Sequence, residues 1–200
     1  MIILGITGPI GSGKSYVTDI ISDRGFKRID TDEVYHSLVD RPSKTVSDLA
    51  KEFGEEIISE SGALNRKKLA EIVFSDKEKL TKLNEISHKA VIEKTEQLIS
   101  EHEKNGEKML LIEVPLMFES GFDKRCDYVL SVVADEETRV KRICERNALS
   151  AEEAKKRIKN QKNIDFYIEN SSFVIYNSNN GDLNAQIDAV IQRIFKEKGI

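Results

Sequence analysis

The fold of this 200-residue chain is decided near its N-terminus by the stretch Gly8-Pro9-Ile10-Gly11-Ser12-Gly13-Lys14-Ser15. The stretch matches the pattern G-x-x-x-x-G-K-[ST], in which glycines let the backbone curl so that successive N–H groups point at phosphate oxygens. It follows a short apolar run, residues 2–7, and precedes a segment in which Val17, Ile20 and Ile21 share one helical face. A strand before and a helix after are the context that the pattern requires. The sequence therefore predicts a phosphate-binding loop between a buried strand and a helix.

The side chains at the end of this loop predict how a nucleotide is held. Lys14 is expected to reach the β- and γ-phosphates, and the Ser15 hydroxyl to ligate Mg²⁺. The alternative is a glycine-rich turn that fits the pattern by chance, expected in roughly one chain in a hundred of this length. A GTPase would carry a guanine-reading N-K-x-D string, and no such string occurs. A motor or transporter ATPase would need a longer chain, which leaves a small kinase that phosphorylates a small molecule.

Short apolar runs alternate with helical segments along the whole chain. The runs predicted as strands are residues 2–7, 26–29, 109–114, 128–133 and 173–176. Because most of these runs are almost wholly apolar, we predict an α/β fold with five parallel strands and helices on both faces of the sheet. Residues 43–102 form a helical insertion after the second strand, in which Leu80, Leu83, Ile86 and Ala90 line one face of a long helix. A closing helix is predicted over about 182–197.

Composition excludes several classes of protein. Apolar residues make up 39% of the chain, which excludes a disordered chain, and the net charge of −4 disfavours binding to nucleic acid through bulk positive charge. No apolar run is long enough to span a membrane, and no secretory signal is visible. Cys126 and Cys144 have no CxxC partner, so we expect two reduced thiols in a cytoplasmic protein.

Two acids follow the second predicted strand. Asp30 can cap the next helix, with Glu33 completing a capping box. Asp32 has no such capping role. Because the carboxyl ends of parallel strands border the ligand crevice of an α/β sheet, Asp32 is the better candidate for the base that deprotonates an acceptor hydroxyl.

A basic segment lies on an otherwise acidic chain. Residues 141–162 carry a net charge of +5, so the remaining residues sum to −9. This contrast predicts a lid over the triphosphate. Arg142 and Arg146 lie four residues apart on one helix face and are expected to reach the same phosphates. The lysines of the segment are expected to form a solvated face.

Glu113 ends the strand predicted over 109–114. It is expected either to support the metal and the acceptor or to be an ordinary strand-end carboxylate, and the residues alone leave both interpretations open. The spacing of His36, His88 and His102 indicates no metal site.

Taken in order, these residues resemble bacterial dephospho-coenzyme A kinases over nearly the full length. The matching pieces are Gly5-Ile6-Thr7-Gly8-Pro9-Ile10-Gly11-Ser12-Gly13-Lys14-Ser15, Ile29-Asp30-Thr31-Asp32, Gly62-Ala63-Leu64-Asn65-Arg66 with Leu69 and Phe74, Ile86-Ser87-His88, Glu113-Val114-Pro115-Leu116-Met117-Phe118-Glu119, Arg142 and Arg146, Arg157, Gln161, and Val174-Ile175-Tyr176-Asn177. The chain departs from the usual family pattern at Pro9, Lys89 and Ser171-Ser172.

The resemblance implies one kinase domain over 1–200 of the nucleoside-monophosphate-kinase type. Its core covers about 1–40, 106–135 and 170–200, with a helical coenzyme-binding region at about 41–105 and a lid at about 136–162. The implied reaction moves the γ-phosphoryl of ATP, with Mg²⁺, to the ribose 3′-hydroxyl of dephospho-coenzyme A. Another nucleoside-monophosphate or small-molecule kinase and a non-catalytic nucleotide-binding regulator are the alternatives. A monomer or weak homo-oligomer is expected.

The resemblance also assigns roles to residues. Asp32 is implied as the base, with Lys14 and Arg142 as the other catalytic residues. The implied ATP-binding residues are Gly11, Ser12, Gly13, Lys14, Ser15, Tyr16, Arg142, Arg146 and Asn177. The implied substrate-binding residues are Asp32, Arg66, His88 and Glu113.

Overall fold

A computed structural model describes residues 1–74, 76–178 and 181–199 of the chain. The chain divides into two compact units. The first unit comprises Met1–Arg28 and Gly106–Ile200, and the second comprises Ile29–Asn105.

The sheet has five strands in the order β2-β3-β1-β4-β5. Their bounds are β1 Ile2–Thr7, β2 Lys27–Asp30, β3 Met109–Glu113, β4 Tyr128–Val133 and β5 Phe173–Tyr176. Strand β1 pairs in parallel with β3 and β4, and β4 pairs in parallel with β5. The predicted α/β class with a five-stranded parallel sheet is confirmed. In the β1–β3 register Ile6 lies opposite Glu113, so the loop after β1 begins beside the end of β3.

Helices follow most strands, as the alternating pattern predicts. Within the described residues they are α1 Lys14–Ser22, α2 Thr31–Val39, α3 Lys44–Phe53, α4 Arg66–Val73, α5 Lys77–Lys104, α6 Glu136–Asn147, α7 Ala151–Lys159, α8 Ile164–Glu169 and α9 Leu183–Lys198, with 3-10 turns at Glu55–Ile57 and Phe122–Arg125. The helical insertion after the second strand comprises α2 to α5. The short helix α8 was not predicted, because six residues are too few to show a helical period.

The core of the first unit is built on alternate residues of the strands. Leu4 and Ile6 of β1 are fully buried against a cluster that includes Val17 of α1 and Ile187 and Ile194 of α9. Successive side chains of a strand point to opposite faces, so this pattern leaves the intervening residues of β1 for the other face of the sheet.

The second unit has an apolar core of its own. Each of α2 to α5 begins at a polar side chain that accepts a hydrogen bond from a backbone amide of the first turn, namely Asp30, Ser43, Asn65 and Asp76. Such caps satisfy N–H groups that the helix itself leaves unpaired. Leu83 and Ile86 of the predicted stripe on α5 pack against the buried cluster, whereas Leu80 at the start of the stripe is 37% exposed.

Gly5, in the middle of β1, sits where the sheet has no room for a side chain. A Cβ atom at this position would lie 2.6 Å from both the Cys126 Sγ and the Met117 Cε atoms. We therefore expect Gly5→Ala to lower the free energy of unfolding by about 1–3 kcal/mol, the usual cost of overpacking a core. Urea unfolding followed by circular dichroism measures the change.

The double variant Gly5→Ala/Cys126→Ala is the matched test of that explanation. Removing the sulfur gives the new methyl group space, so the two substitutions together should cost less than the sum of their separate costs. Strictly additive costs would show that the clash with Cys126 is not the cause.

Candidate active site

The phosphate-binding loop connects β1 to α1 and turns at two left-handed glycines. Gly11 has a φ of 79° and Gly13 a φ of 84°, a region that residues with a Cβ atom rarely adopt. Gly13 is the N-cap of α1 and offers no side chain to the first-turn amides. Within the described part of the chain no protein group accepts a hydrogen bond from five backbone amides here, those of Gly11, Gly13, Lys14, Ser15 and Tyr16. Unpaired amides at the positive end of a helix favour an anion.

A buried carboxylate lies directly beneath the loop. Glu113, 2% exposed, accepts hydrogen bonds on Oε1 from the Lys14 ammonium at 2.6 Å and from the Ser15 hydroxyl at 2.6 Å. Burial by itself raises the pKa of Glu113. The charge of Lys14 and the hydrogen bonds from Lys14 and Ser15 outweigh burial and hold this pKa below its ordinary value. Glu113 is therefore ionised at neutral pH and orients both side chains.

The same residues have the chemistry that Mg²⁺ requires. Mg²⁺ prefers hard oxygen ligands and is usually bound by one or two carboxylates together with substrate phosphates and water. The hydroxyl of Ser15 and the carboxylate of Glu113 are such ligands, and they lie within hydrogen-bond distance of each other. These two residues fit the ion that the sequence predicts.

Asn177, just after β5, and Arg142 of α6 hold a carbonyl of the loop. The Asn177 amide donates to the Ser12 carbonyl at 2.9 Å, and the Arg142 guanidinium donates to the same oxygen at 3.1 Å. A Cβ atom on Gly13 would lie 2.2 Å from the Asn177 Nδ2 atom, so a glycine is required for this approach. Arg142 and Asn177 thus contact the loop backbone, while their predicted contacts with ATP stay predictions.

A second pair of side chains holds Ile10, two residues before Ser12. The Arg139 Nε atom donates to the Ile10 carbonyl at 2.9 Å, and the Gln161 Oε1 atom accepts from the Ile10 amide at 2.7 Å. Arg139 is only 3% exposed, and its burial lowers the pKa of the guanidinium from the ordinary value.

The two arginines predicted as a pair differ in their surroundings. Both lie on α6, but Arg142 is half-buried against the loop. Arg146 is exposed and donates to the side chain of the adjacent Asn147 at 3.2 Å. Their joint action on one phosphate chain stays a prediction.

In the second unit, the structure gives different positions to Asp30, the last residue of β2, and Asp32. Asp30 is the N-cap of α2 and accepts the backbone amide of Asp32 at 2.8 Å, which confirms its predicted capping role. Asp32 is the second residue of α2, and its side chain is exposed.

The other predicted substrate-binding residues of this unit lie on α4 and α5. Arg66, the first residue of α4, contacts Asp40 and His36, each at 2.5 Å from its Nη2 atom. His88 is half-buried on α5. Roles in substrate binding for Arg66 and His88 remain predictions.

Arg139 and Gln161 show what sequence reasoning missed. Arg139 was not singled out, and Gln161 matched the family without a role. One signal was available for Arg139: it precedes the buried Ile143 by four residues, so an arginine occupies the apolar face of α6. A cation on such a face needs a specific partner, and here that partner is the Ile10 carbonyl.

Comparison with known proteins identifies the family. The family model described as dephospho-CoA kinase matches residues 2–182. A dephospho-CoA kinase from Fusobacterium nucleatum is 41% identical over 180 residues, which cover 90% of this chain and 91% of that protein. A dephospho-CoA kinase from Lactobacillus johnsonii is 35% identical over 96% of this chain and 97% of that protein.

The chain belongs to the dephospho-CoA kinase family.

Solved structures agree with this assignment. A dephospho-CoA kinase from Campylobacter jejuni superposes with a TM-score of 0.72 at 29% identity, covering 98% of each chain. A shikimate kinase from Bacteroides thetaiotaomicron, 14% identical and covering 100% of this chain and 99% of its own, has a TM-score of 0.54 and shares the fold. The predicted family and the predicted class of enzyme, a kinase of coenzyme A synthesis, are confirmed. None of the described helices of this kinase has the length and apolar character needed to cross a membrane.

The ion pair under the loop predicts how the stability of this kinase depends on pH. Because the pKa of Glu113 is lower in the folded chain than its ordinary value of 4.5, its stabilising effect is present above pH 4.5 and is lost as the pH falls through the folded-state pKa. Glu113→Gln removes this effect and leaves Lys14 without its counter-charge. We expect the variant to be less stable than wild type by about 3 kcal/mol at pH 7. The difference should shrink progressively below pH 4.5.

Urea unfolding of both proteins from pH 7 to pH 3 measures this difference. Glu145→Gln, a change at an exposed glutamate of α6, is the matched control and should remain close to wild type throughout. A difference for Glu113→Gln that is constant from pH 7 to pH 3 would contradict the linkage.

Proposed function

We propose that this chain transfers the γ-phosphoryl group of ATP to the ribose 3′-hydroxyl of dephospho-coenzyme A, giving coenzyme A and ADP. The observation that carries the proposal is the loop region in which five amides have no acceptor among the described residues, with the Lys14 ammonium at its end, in a chain that belongs to this family. We expect the chain to act in the cytoplasm with Cys126 and Cys144 reduced.

The ATP side of the proposed reaction follows from the donors available. An ammonium group has three donors, and Glu113 accepts one from Lys14, which leaves two for phosphate oxygens. The unpaired amides supply further donors, already oriented before the nucleotide binds. Preorganised donors stabilise the charge that develops on the phosphates in the transition state without a cost of reorganisation.

Mg²⁺ held beside Ser15 and Glu113 would supply charge neutralisation at the β- and γ-phosphates. The role of Ser15 is then to offer its hydroxyl oxygen toward the ion, and that of Glu113 to hold the Ser15 and Lys14 side chains in place.

The acceptor side of the proposal rests on Asp32. Its carboxylate takes the proton of the 3′-hydroxyl while the oxygen forms a bond to the γ-phosphorus and the bond from that phosphorus to the β–γ bridging oxygen breaks. Asp32 is exposed and is the second residue of α2, two positions after the last residue of β2. In this proposal Arg66 and His88 bind dephospho-coenzyme A, and Arg142 and Arg146 bind the phosphates of ATP.

A coupled assay of ADP release tests the activity. We expect ADP release with ATP and dephospho-coenzyme A, and little release with ATP alone or with adenosine monophosphate as acceptor. The Lys14→Ala variant should lose about two to three decades of turnover, because one preorganised cation is commonly worth roughly 3–4 kcal/mol in the transition state. Faster turnover with the monophosphate would favour the nucleotide kinase. ATP binding without turnover on any acceptor would favour the regulator.

Asp30 and Asp32 give a paired test of the base. Asp32→Asn keeps the size of the side chain and removes its basicity, so turnover should fall by about two to four decades while ATP affinity stays near wild type. Asp30→Asn should be mild, because asparagine caps helices about as well as aspartate.

Both variants are compared in turnover and in ATP affinity measured by calorimetry. The reverse result, an inactive Asp30→Asn and an active Asp32→Asn, would show that the roles of cap and base are exchanged.

A further inference from the structure

Ile10 is held on both sides of its backbone by side chains distant in sequence. Arg139 of α6 donates to its carbonyl at 2.9 Å, and Gln161, just beyond α7, accepts from its amide at 2.7 Å. Neither side chain belongs to the motif that predicts the loop. Both come from the segment between β4 and α8, so this segment is attached to the phosphate-binding loop near its beginning and near its end.

The direction of the Ile10 carbonyl determines the direction of the next amide. A trans peptide is planar, and its C=O and N–H groups point in opposite directions. When Arg139 holds the Ile10 carbonyl on its own side, the Gly11 amide must point away from Arg139. The Ser12 carbonyl, held by Arg142 and Asn177, fixes the Gly13 amide in the same way. Gly11 and Gly13 are two of the residues whose amides have no acceptor in the described part of the chain.

Close contact keeps the Ile10–Gly11 peptide in this orientation. A Cβ atom on Gly11 would lie 2.8 Å from the backbone oxygen of Arg139 and 3.1 Å from its Cα atom. The loop therefore packs directly against the backbone of Arg139 in α6, the same residue whose guanidinium donates to the Ile10 carbonyl. A peptide flip at Gly11 would break the hydrogen bond from Arg139 and leave a buried donor unpaired, which costs more than an ordinary hydrogen bond is worth.

The charge of Arg139 is buried without a salt bridge to any carboxylate in the part of the chain that the structure describes. Its Nη2 atom is buried and has no hydrogen-bond acceptor there. The negative charge that acts on it at neutral pH is that of Glu136, one turn earlier on α6, because burial raises the pKa of the nearby Tyr167 and keeps that side chain neutral. Buried charges are normally paired, because removing a charge from water costs free energy. An anion bound by the adjacent loop would offset this desolvation cost of Arg139, which no carboxylate among the described residues offsets by a salt bridge.

We propose that Arg139 is a positioning residue for the phosphates of ATP. It holds the Ile10–Gly11 peptide so that the Gly11 amide is directed at the phosphate, and its buried charge favours the anion through the loop. Gln161 holds Ile10 as well, through the hydrogen bond that it accepts from the Ile10 amide. The inference deepens the proposed function, on whose ATP site it rests, but it does not depend on the identity of the phosphoryl acceptor.

Binding of ATP and of inorganic triphosphate by calorimetry, without any acceptor, tests the proposal. Arg139→Met removes the charge and the hydrogen bond, and we expect at least a tenfold loss of affinity for both ligands. Arg139→Lys restores the charge but not the planar fork, so it should recover part of the loss. Gln161→Met removes a neutral acceptor and should lower the affinity for both ligands about threefold. Lys141→Met, which removes an exposed charge of α6, is the matched control and should bind as wild type does.

The pattern of losses separates positioning from mere stability. All proteins are compared at a temperature at which circular dichroism shows them folded, and the KM for ATP should rise while the KM for dephospho-coenzyme A stays unchanged. If Arg139→Met is folded, melts at a lower temperature and binds triphosphate as wild type does, Arg139 is only structural and the proposal is wrong. If Arg139→Met does not fold, Arg139→Lys and the exposed Gln161→Met decide: wild-type affinity in both overturns the proposal, and a loss in either supports it. A wild-type protein that binds triphosphate but does not phosphorylate dephospho-coenzyme A would overturn the proposed function alone.

Discussion

The ion pair between Lys14 and Glu113 is the interaction on which the geometry of the loop depends. It joins the first residue of α1 to the last residue of β3 at 2.6 Å, across the register that sets Ile6 beside Glu113. Since Ser15 bonds the same carboxylate oxygen, one buried group sets the direction of two side chains that the proposed chemistry needs. The sheet makes this possible, because parallel strands bring the end of β3 and the loop after β1 to the same edge.

The rest of the loop is held by side chains that are distant from it in sequence. Five of its amides have no acceptor among the described residues, while its carbonyls at Ile10 and Ser12 accept hydrogen bonds from side chains of α6 and from Asn177 just after β5. A loop of glycines has many accessible conformations, and each tether removes some of them before a ligand binds. The segment between β4 and α8 therefore contributes to the anion site through hydrogen bonds to backbone, in addition to the phosphate contacts predicted for its arginines.

Local pattern was sufficient to predict the sheet and the loop. All strands except β2 are dense apolar runs, and β1, β4 and β5 have the predicted bounds. The cap at Asp30 was predictable since capping acts within one helical turn. The tethers from Arg139 and Gln161 were not, because they join residues 129 and 151 positions apart in the chain. Their geometry depends on how α6 lies against the loop, which no local pattern encodes.

An anion site with a carboxylate at its centre requires an explanation in terms of charge. The lowered pKa of Glu113 keeps its carboxylate ionised at neutral pH. This negative charge partly neutralises Lys14 and so weakens the electrostatic attraction of the site for phosphate. Two cations that contact the loop backbone oppose it, since Arg139 and Arg142 both donate to loop carbonyls and no salt bridge to a carboxylate is seen for either in the described residues. The site thus combines a negative group that fixes side-chain direction with positive groups that attract the ligand. A carboxylate that only neutralised Lys14 would oppose phosphate binding, whereas one that also ligates Mg²⁺ with Ser15 would assist it once the nucleotide brings the ion.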